Sequence, residues 1–238
     1  VTTIDAVLFD LDGTLCRQDQ TGDSIYYGAF ERAGVDAFGE PSDLWAALDG
    51  PPDPDDQLGY LASGFTVVAA RYGRPSVDAD ALARGFLDVV DYSKVSLHRG
   101  ATTALRRARE AGSVGLVTNG PESRQSVKLD SLDLFDAFDV VVYAGDLPRR
   151  KPHRDPFDAA IDRLGVAPES TLHVGNSLQY DVAGAQGAGL QAAWYAGEGG
   201  GGDGDAENET AQPDPGDYRP EYVFVSLTDL CTLLDGDR

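Results

Sequence analysis

Five short apolar runs, each broken off by glycine or a polar residue, recur along this chain: Ala6–Phe9, Val114–Thr118, Phe138–Tyr143, Thr171–Gly175 and Leu190–Tyr195. Continuous apolar runs of this length read as strands buried on both faces, the condition of a parallel sheet. Between them, apolar residues recur at helical spacing at about Ala101–Ala111, Glu122–Leu132, Pro156–Leu164 and Gln179–Ala188. Strands alternating with helices predict an α/β fold, a doubly wound parallel sheet with helices on both faces. Tyr222–Val225 and Leu227–Leu234 add a last strand and helix.

The pattern changes from about Arg17 to Leu97. Helical periodicity appears around Ile25–Ala33, Leu58–Tyr72 and Ala79–Val90, with no convincing strand, so this stretch is expected to be an inserted α-helical subdomain. Pro51-Pro52-Asp53-Pro54-Asp55-Asp56 interrupts it as a turn-rich connector. The predicted boundaries are residues 1–16 and 97–238 for the core and 17–96 for the insertion, with 197–217 as an acidic, Gly-rich loop inside the core.

Forty acidic residues against 19 basic ones give a net charge of -21, which repels nucleic-acid phosphates and argues against a DNA or RNA partner. No apolar run approaches the roughly 20 residues that span a bilayer, and the N-terminus shows no signal-peptide pattern. No membrane partner and a cytoplasmic location are therefore expected. Cys16 and Cys231 form no CxxC pair and read as reduced thiols. Only Lys94, Lys128 and Lys151 are lysines. Acidic residues spread throughout, with Arg preferred to Lys, resemble the surfaces of proteins from extremely salt-loving microbes.

In open α/β sheets ligands bind at the carboxyl ends of the strands, so the residues just after each apolar run matter most. Asp10 and Asp12 follow the first run, Thr118 and Asn119 close the second, and Lys151-Pro152 comes after the third. Gly175, Asn176 and then Asp181 follow the fourth. This ordered set resembles the haloacid dehalogenase superfamily. The match is carried by Phe9-Asp10-Leu11-Asp12-Gly13-Thr14-Leu15, Leu116-Val117-Thr118-Asn119-Gly120, Lys151-Pro152 with Phe157, and Val174-Gly175-Asn176-Ser177 with Asp181. The resemblance implies a Rossmann-like core, a helical cap of the family's commonest type in the inserted region, and a magnesium-dependent hydrolase acting on a small phosphorylated molecule.

Asp10, at the end of its strand, is the expected nucleophile, becoming an aspartyl-phosphate. Asp12 is the expected general acid and base, so its surroundings should hold a proton more readily than those of Asp10. Thr118, Asn119 and the following N–H groups, at a helix start, suit the phosphoryl oxygens. Lys151 supplies a compact positive charge. Asp10, the Asp12 carbonyl, Asn176 and Asp181 are the expected Mg2+ ligands. Most relatives carry Asp where this chain has Asn176, which removes one negative charge and predicts weaker metal binding. Dehalogenation through the same nucleophile, phosphoryl transfer to a sugar as in a phosphomutase, and a catalytically silent binding protein are the competing readings. Asp12 opposes the first and the intact set Asp10, Asp12, Thr118 and Lys151 the last.

Several patterns are discounted. His153-Arg154-Asp155 lacks the downstream Asn of a kinase catalytic loop, with Ala160 in its place. Gly199–Gly202 joins no strand to a helix. Asp203, Asp205, Glu207 and Glu209 alternate as calcium ligands do, but Asn208 stands where the turn glycine belongs. His98 and His173 read as core histidines, and Trp45, Tyr26 and Tyr27 as packing within the helical region.

The charge balance generates a first prediction. Salt screens like-charge repulsion, so the urea midpoint of unfolding should rise from low to molar KCl. Equal midpoints at both salt levels refute it.

Overall fold

The computed structural model describes residues 3–48, 56–197 and 218–236. In chain order the strands are β1 (Ala6–Phe9), β2 (Cys16–Gln18), β3 (Val95–Leu97), β4 (Ser113–Thr118), β5 (Val140–Tyr143), β6 (Thr171–Gly175), β7 (Gln191–Tyr195) and β8 (Tyr222–Phe224). The helices are α1 (Gly22–Ala33), α2 (Pro41–Trp45), α3 (Gln57–Arg71), α4 (Ala79–Val89), α5 (Ala101–Ala111), α6 (Glu122–Ser131), α7 (Asp155–Leu164), α8 (Ala183–Gly187) and α9 (Asp229–Gly236). Among the described residues no helix is long and apolar enough to cross a membrane.

The predicted α/β architecture is present. A six-stranded sheet runs in the order β5-β4-β1-β6-β7-β8, with every neighbouring pair parallel. Side chains alternate across β1, as the pleat requires. Val7 and Phe9 enter one apolar layer with Ala104, Leu105 and Ala108 of α5, Leu129 of α6 and Leu230 of α9. Leu8 enters the opposite layer with Phe157, Ala160 and Ile161 of α7 and Ala185 of α8. All four residues of β1 are buried, which is why its sequence is uniformly apolar. The chain continues on one side of β1 through β4 and on the other through β6, so the carboxyl ends of these three strands meet where the order reverses.

Two compact units divide the chain. Among the described residues, the sheet and its helices belong to the unit comprising residues 3–17, 95–197 and 218–236. Gln18–Lys94 forms a helical unit with its own core of Tyr26, Phe30, Phe65, Val68, Leu82 and Phe86. Helices α1 and α4 approach closely because Gly85 lacks a side chain; a Cβ there would lie 2.5 Å from the Ala29 carbonyl oxygen. Tyr26 is fully buried and donates to the Phe38 carbonyl at 2.9 Å, and Trp45 packs edge-on to Phe86, so both are core residues of this unit. Tyr27 is partly exposed.

Three local features depart from the sequence prediction. Where no strand is predicted between Arg17 and Leu97, β2 and β3 pair as a separate two-stranded sheet. Each has three residues, too few for a period-2 pattern to register. Helix α2 is unpredicted and starts with Pro41 at its first position, with the Glu40 amide donating to Asp43 Oδ2. The predicted helix at Gln179–Ala188 begins as a π turn, Leu178–Val182, before becoming α8. The predicted connector at 51–55, the acidic loop at 198–217, and the discounted Gly199–Gly202 and Asp203–Glu209 patterns lie outside the described residues. Asp56 caps α3 by accepting from the Gly59 amide at 2.8 Å.

The entry into β4 supplies a stability prediction. A Cβ on Gly112 would lie 2.0 Å from the Asp5 carbonyl oxygen, a backbone atom that also accepts from Ser113. Gly112→Ala should therefore lower unfolding stability by about 1–3 kcal/mol through backbone displacement. Denaturant titration measures it, and an unchanged midpoint contradicts it.

Candidate active site

Asp10 stands one residue past β1, its amide donating to the Val174 carbonyl at 2.9 Å and so extending the pairing with β6. The chain then turns sharply: the amides of Thr14, Leu15 and Cys16 all donate to the Leu11 carbonyl. Gly13 adopts φ 76°, a left-handed conformation that a side chain disfavours, and a Cβ there would lie 2.4 Å from Asn176 Nδ2. Thr14 Oγ1 accepts from the Asn176 amide at 3.0 Å and stands 3.3 Å from both Asp10 Oδ2 and Asn176 Oδ1. That hydroxyl ties the loop after β1 to the loop after β6.

Lys151 is buried and directs all three of its protons. Nζ donates to Asp10 Oδ1 at 2.6 Å, to Asp181 Oδ1 at 2.6 Å and to the Val117 carbonyl at 2.9 Å. Burial opposes its charge, but the two carboxylates outweigh that and raise its pKa. Asn119 fixes the lysine's backbone by donating to its carbonyl at 3.1 Å and accepting from its amide at 2.9 Å. The side chain of Asn119, expected at the phosphate, is therefore engaged with Lys151. Thr118, at the end of β4, is buried and accepts from Gln125 Nε2 at 2.7 Å.

Asp181 reaches the same ammonium from the π turn after β6. Its Oδ1 also faces His173 Nε2 at 3.0 Å, and its Oδ2 accepts from the Ser177 amide at 3.0 Å. Burial works to raise its pKa, yet Lys151 and His173 overcome this and hold it well below the usual carboxylate range. Both oxygens are thus engaged by protein donors, and Asp181 is the second carboxylate on the Lys151 ammonium. Burial holds His173 below its ordinary pKa.

The expected proton order of the two leading aspartates is reversed. Burial raises Asp10 to about 7, with Lys151 opposing and Asp181 adding to the rise. Burial also pushes Asp12 upward, but Lys128 outweighs it, helped by Gln125 and Arg124, so its pKa is lowered. Asp12 Oδ1 accepts from Lys128 Nζ and Oδ2 from Gln125 Nε2 at 2.6 Å. Neither partner is anticipated from the motifs. The signal was nonetheless present, since Lys128 is one of three lysines and lies three residues beyond Gln125, on the same helical face.

The donor set suits a hard cation. Among the described residues no three His, Cys, Asp or Glu side chains form a metal cluster. The Asp10 and Asn176 side-chain oxygens nevertheless converge on one hydroxyl, and Asp10 is a buried carboxylate, so two oxygen donors of the kind a hard cation takes lie side by side.

A stability prediction follows from Asp10. Its folded pKa lies above its unfolded value, so above about pH 4 the unfolded state loses this proton more readily and Asp10 destabilises the fold. The cost grows up to about pH 7 and is constant beyond. Without divalent cations, Asp10→Asn should raise the melting temperature at pH 8 and change it little at pH 4. A variant less stable than the parent at pH 8 contradicts this.

Comparisons with known proteins identify the family. Residues 4–189 match the family of haloacid dehalogenase-like hydrolases. Pyrophosphatase PpaX of Bacillus pumilus is 27% identical over 248 residues, covering 99% of each chain. A phosphoglycolate phosphatase of Shigella boydii is 27% identical over 97% of this chain and 92% of its own length. In structure, the chain resembles the HAD-hydrolase YfnB of Bacillus subtilis, solved bound to magnesium, with a TM-score of 0.71 at 21% identity over 98% of this chain and 99% of that one. With the family matched across most of its length and the strand-end residues gathered as described, the chain belongs to the haloacid dehalogenase-like hydrolases.

Proposed function

We propose that the protein is a magnesium-dependent phosphatase that hydrolyses a small-molecule phosphate monoester through an aspartyl-phosphate on Asp10. The observation that carries the reading is the setting of the Asp10 carboxylate. One oxygen is held by the Lys151 ammonium, while Oδ2 has one long hydrogen bond among the described residues, from Thr14, and is the oxygen left to attack phosphorus. Pairing with a buried ammonium orients the nucleophile at no cost when substrate arrives. Thr118 and the amides that follow it offer donors to phosphoryl oxygens at the start of α6.

Asp12 transfers the protons. It protonates the departing alkoxide and later takes a proton from the water that cleaves the aspartyl-phosphate. The Asp10 carboxylate, the Asp12 backbone carbonyl and Asn176 Oδ1 would hold magnesium, which balances phosphoryl negative charge against the carboxylates. With Asn176 in place of a carboxylate, the site carries one charge less. In the same reading residues 17–96 act as the cap that selects the substrate. The names of the relatives support phosphorylated metabolites or pyrophosphate as the class to be tested.

The test is phosphate release from a panel including p-nitrophenyl phosphate, phosphoglycolate and pyrophosphate, at several magnesium and KCl concentrations. Release should require magnesium and fall at least about a thousandfold in Asp10→Asn. Asn176→Asp should reach half-maximal rate at lower magnesium. Release that survives Asp10→Asn sinks the reading.

A further inference from the structure

The lysine at 128 and the glutamine at 125 are not among the family's strand-end motifs, yet both converge on Asp12. We infer that Gln125 and Lys128 of α6 are positioning residues that hold the Asp12 carboxylate for the water step of the reaction. The inference rests on the phosphatase reading above.

Gln125 is buried, and its Nε2 makes two short bonds, to Asp12 Oδ2 at 2.6 Å and to Thr118 Oγ1 at 2.7 Å. An amide nitrogen has two protons, so both are committed. Gln125 Oε1 is buried and accepts no hydrogen bond among the described residues, so the amide is oriented wholly by its two acceptors. Lys128 Nζ donates to the other oxygen of Asp12, with its side chain only 12% exposed. Donors on both oxygens fix the carboxylate's rotation as well as its place. The absence of a side chain at position 120 makes this possible, because a Cβ there would lie 2.2 Å from Gln125 Nε2.

The same amide orients the phosphate-binding hydroxyl. Thr118 Oγ1 accepts from Gln125 and, at 3.4 Å, from the Gly120 amide, so its own proton is the donor left for a phosphoryl oxygen. Gln125 thus couples the group that takes a proton from water to the group that binds the phosphoryl being cleaved.

A carboxylate that accepts on both oxygens matches the base more closely than the acid. In the step concerned, water oxygen bonds to phosphorus of the aspartyl-phosphate and its proton passes to the Asp12 carboxylate. The bond from phosphorus to the Asp10 oxygen breaks, its electron pair returning to Asp10 as carboxylate and releasing inorganic phosphate. Losing the hold on Asp12 slows this second half of the cycle and leaves transfer from an ester with a good leaving group intact.

The experiment uses p-nitrophenyl phosphate with magnesium and the full chain, comparing the parent, Lys128→Met, Lys128→Arg and Gln125→Ala by stopped-flow and steady-state kinetics. In Lys128→Met and Gln125→Ala, kcat should fall about 10- to 100-fold with KM falling in parallel, and a burst of about one nitrophenolate per site should appear. Lys128→Arg should recover most of kcat. A drop in kcat with KM unchanged and no burst marks a loss of active protein and overturns the inference, as does an unchanged kcat. Should Lys128→Met not fold, Gln125→Ala decides alone. A parent whose activity is absent or survives Asp10→Asn removes the phosphatase reading and this inference with it, whereas an active parent with unaffected variants removes only the inference.

Discussion

One ammonium holds the strand ends together. Lys151 Nζ bonds to Asp10 after β1, to the Val117 carbonyl within β4, and to Asp181 in the π turn after β6. Three adjacent strands therefore meet at one positive charge. The two carboxylates bring more negative charge than the lysine alone neutralises, and all three groups are buried. Removing the lysine would leave both carboxylates uncompensated, and breaking a buried ion pair in that way typically costs about 3–5 kcal/mol. The arrangement is also geometrically demanding. A guanidinium is planar and forks its donors, whereas three converging acceptors suit the tetrahedral ammonium.

Three carboxylates in one site have three different characters, and burial alone does not separate them. Asp181 has Lys151, His173 and the Ser177 amide on its two oxygens and is strongly acidic. Asp12 has Lys128 and Gln125 and is likewise held ionised. Asp10 is pushed up to about 7 by burial first, and it shares Lys151 with Asp181 while feeling the repulsion of both neighbouring carboxylates. Asp10, the proposed nucleophile, is thus the one carboxylate of the three whose charge the protein leaves incompletely balanced. That imbalance makes the same position an attractive place for a cation and a costly one without it.

Most of the core was legible because parallel strands buried on both faces leave uniform apolar runs, and β1, β4, β6 and β7 all show them. Asp10, Thr118 and Lys151 were legible from their places beyond those runs. Elements spanning fewer than two full periods were not: β2 and β3 have three residues each and α2 five. The π turn was hidden for another reason, since periodicity cannot distinguish one extra residue in a turn. The proton order of Asp10 and Asp12 was misread because it depends on Lys128 and Gln125, which lie over a hundred residues away in sequence. The contacts of Asp181 with Lys151, His173 and the Ser177 amide were likewise not legible from its place after a strand.

Glycine shows how the motifs depend on one another. Gly13 and Gly120 follow strand ends and Gly175 closes β6, and an ordinary account makes them turn formers. Only Gly13 of the three has a left-handed backbone. What all three share is the side chain lying against them: a Cβ would come within 2.4 Å of Asn176 at Gly13, 2.2 Å of Gln125 at Gly120, and 2.2 Å of Asp181 at Gly175. In each case the vacated volume is filled by a polar group that bonds elsewhere in the site. The glycines therefore let functional side chains lie directly on bare backbone, where low solvent access strengthens their hydrogen bonds and leaves little room for other rotamers. This explains why glycine accompanies the polar residues at all three strand ends, and why Gln125 belongs with the site although it lies a full helical turn beyond the nearest motif.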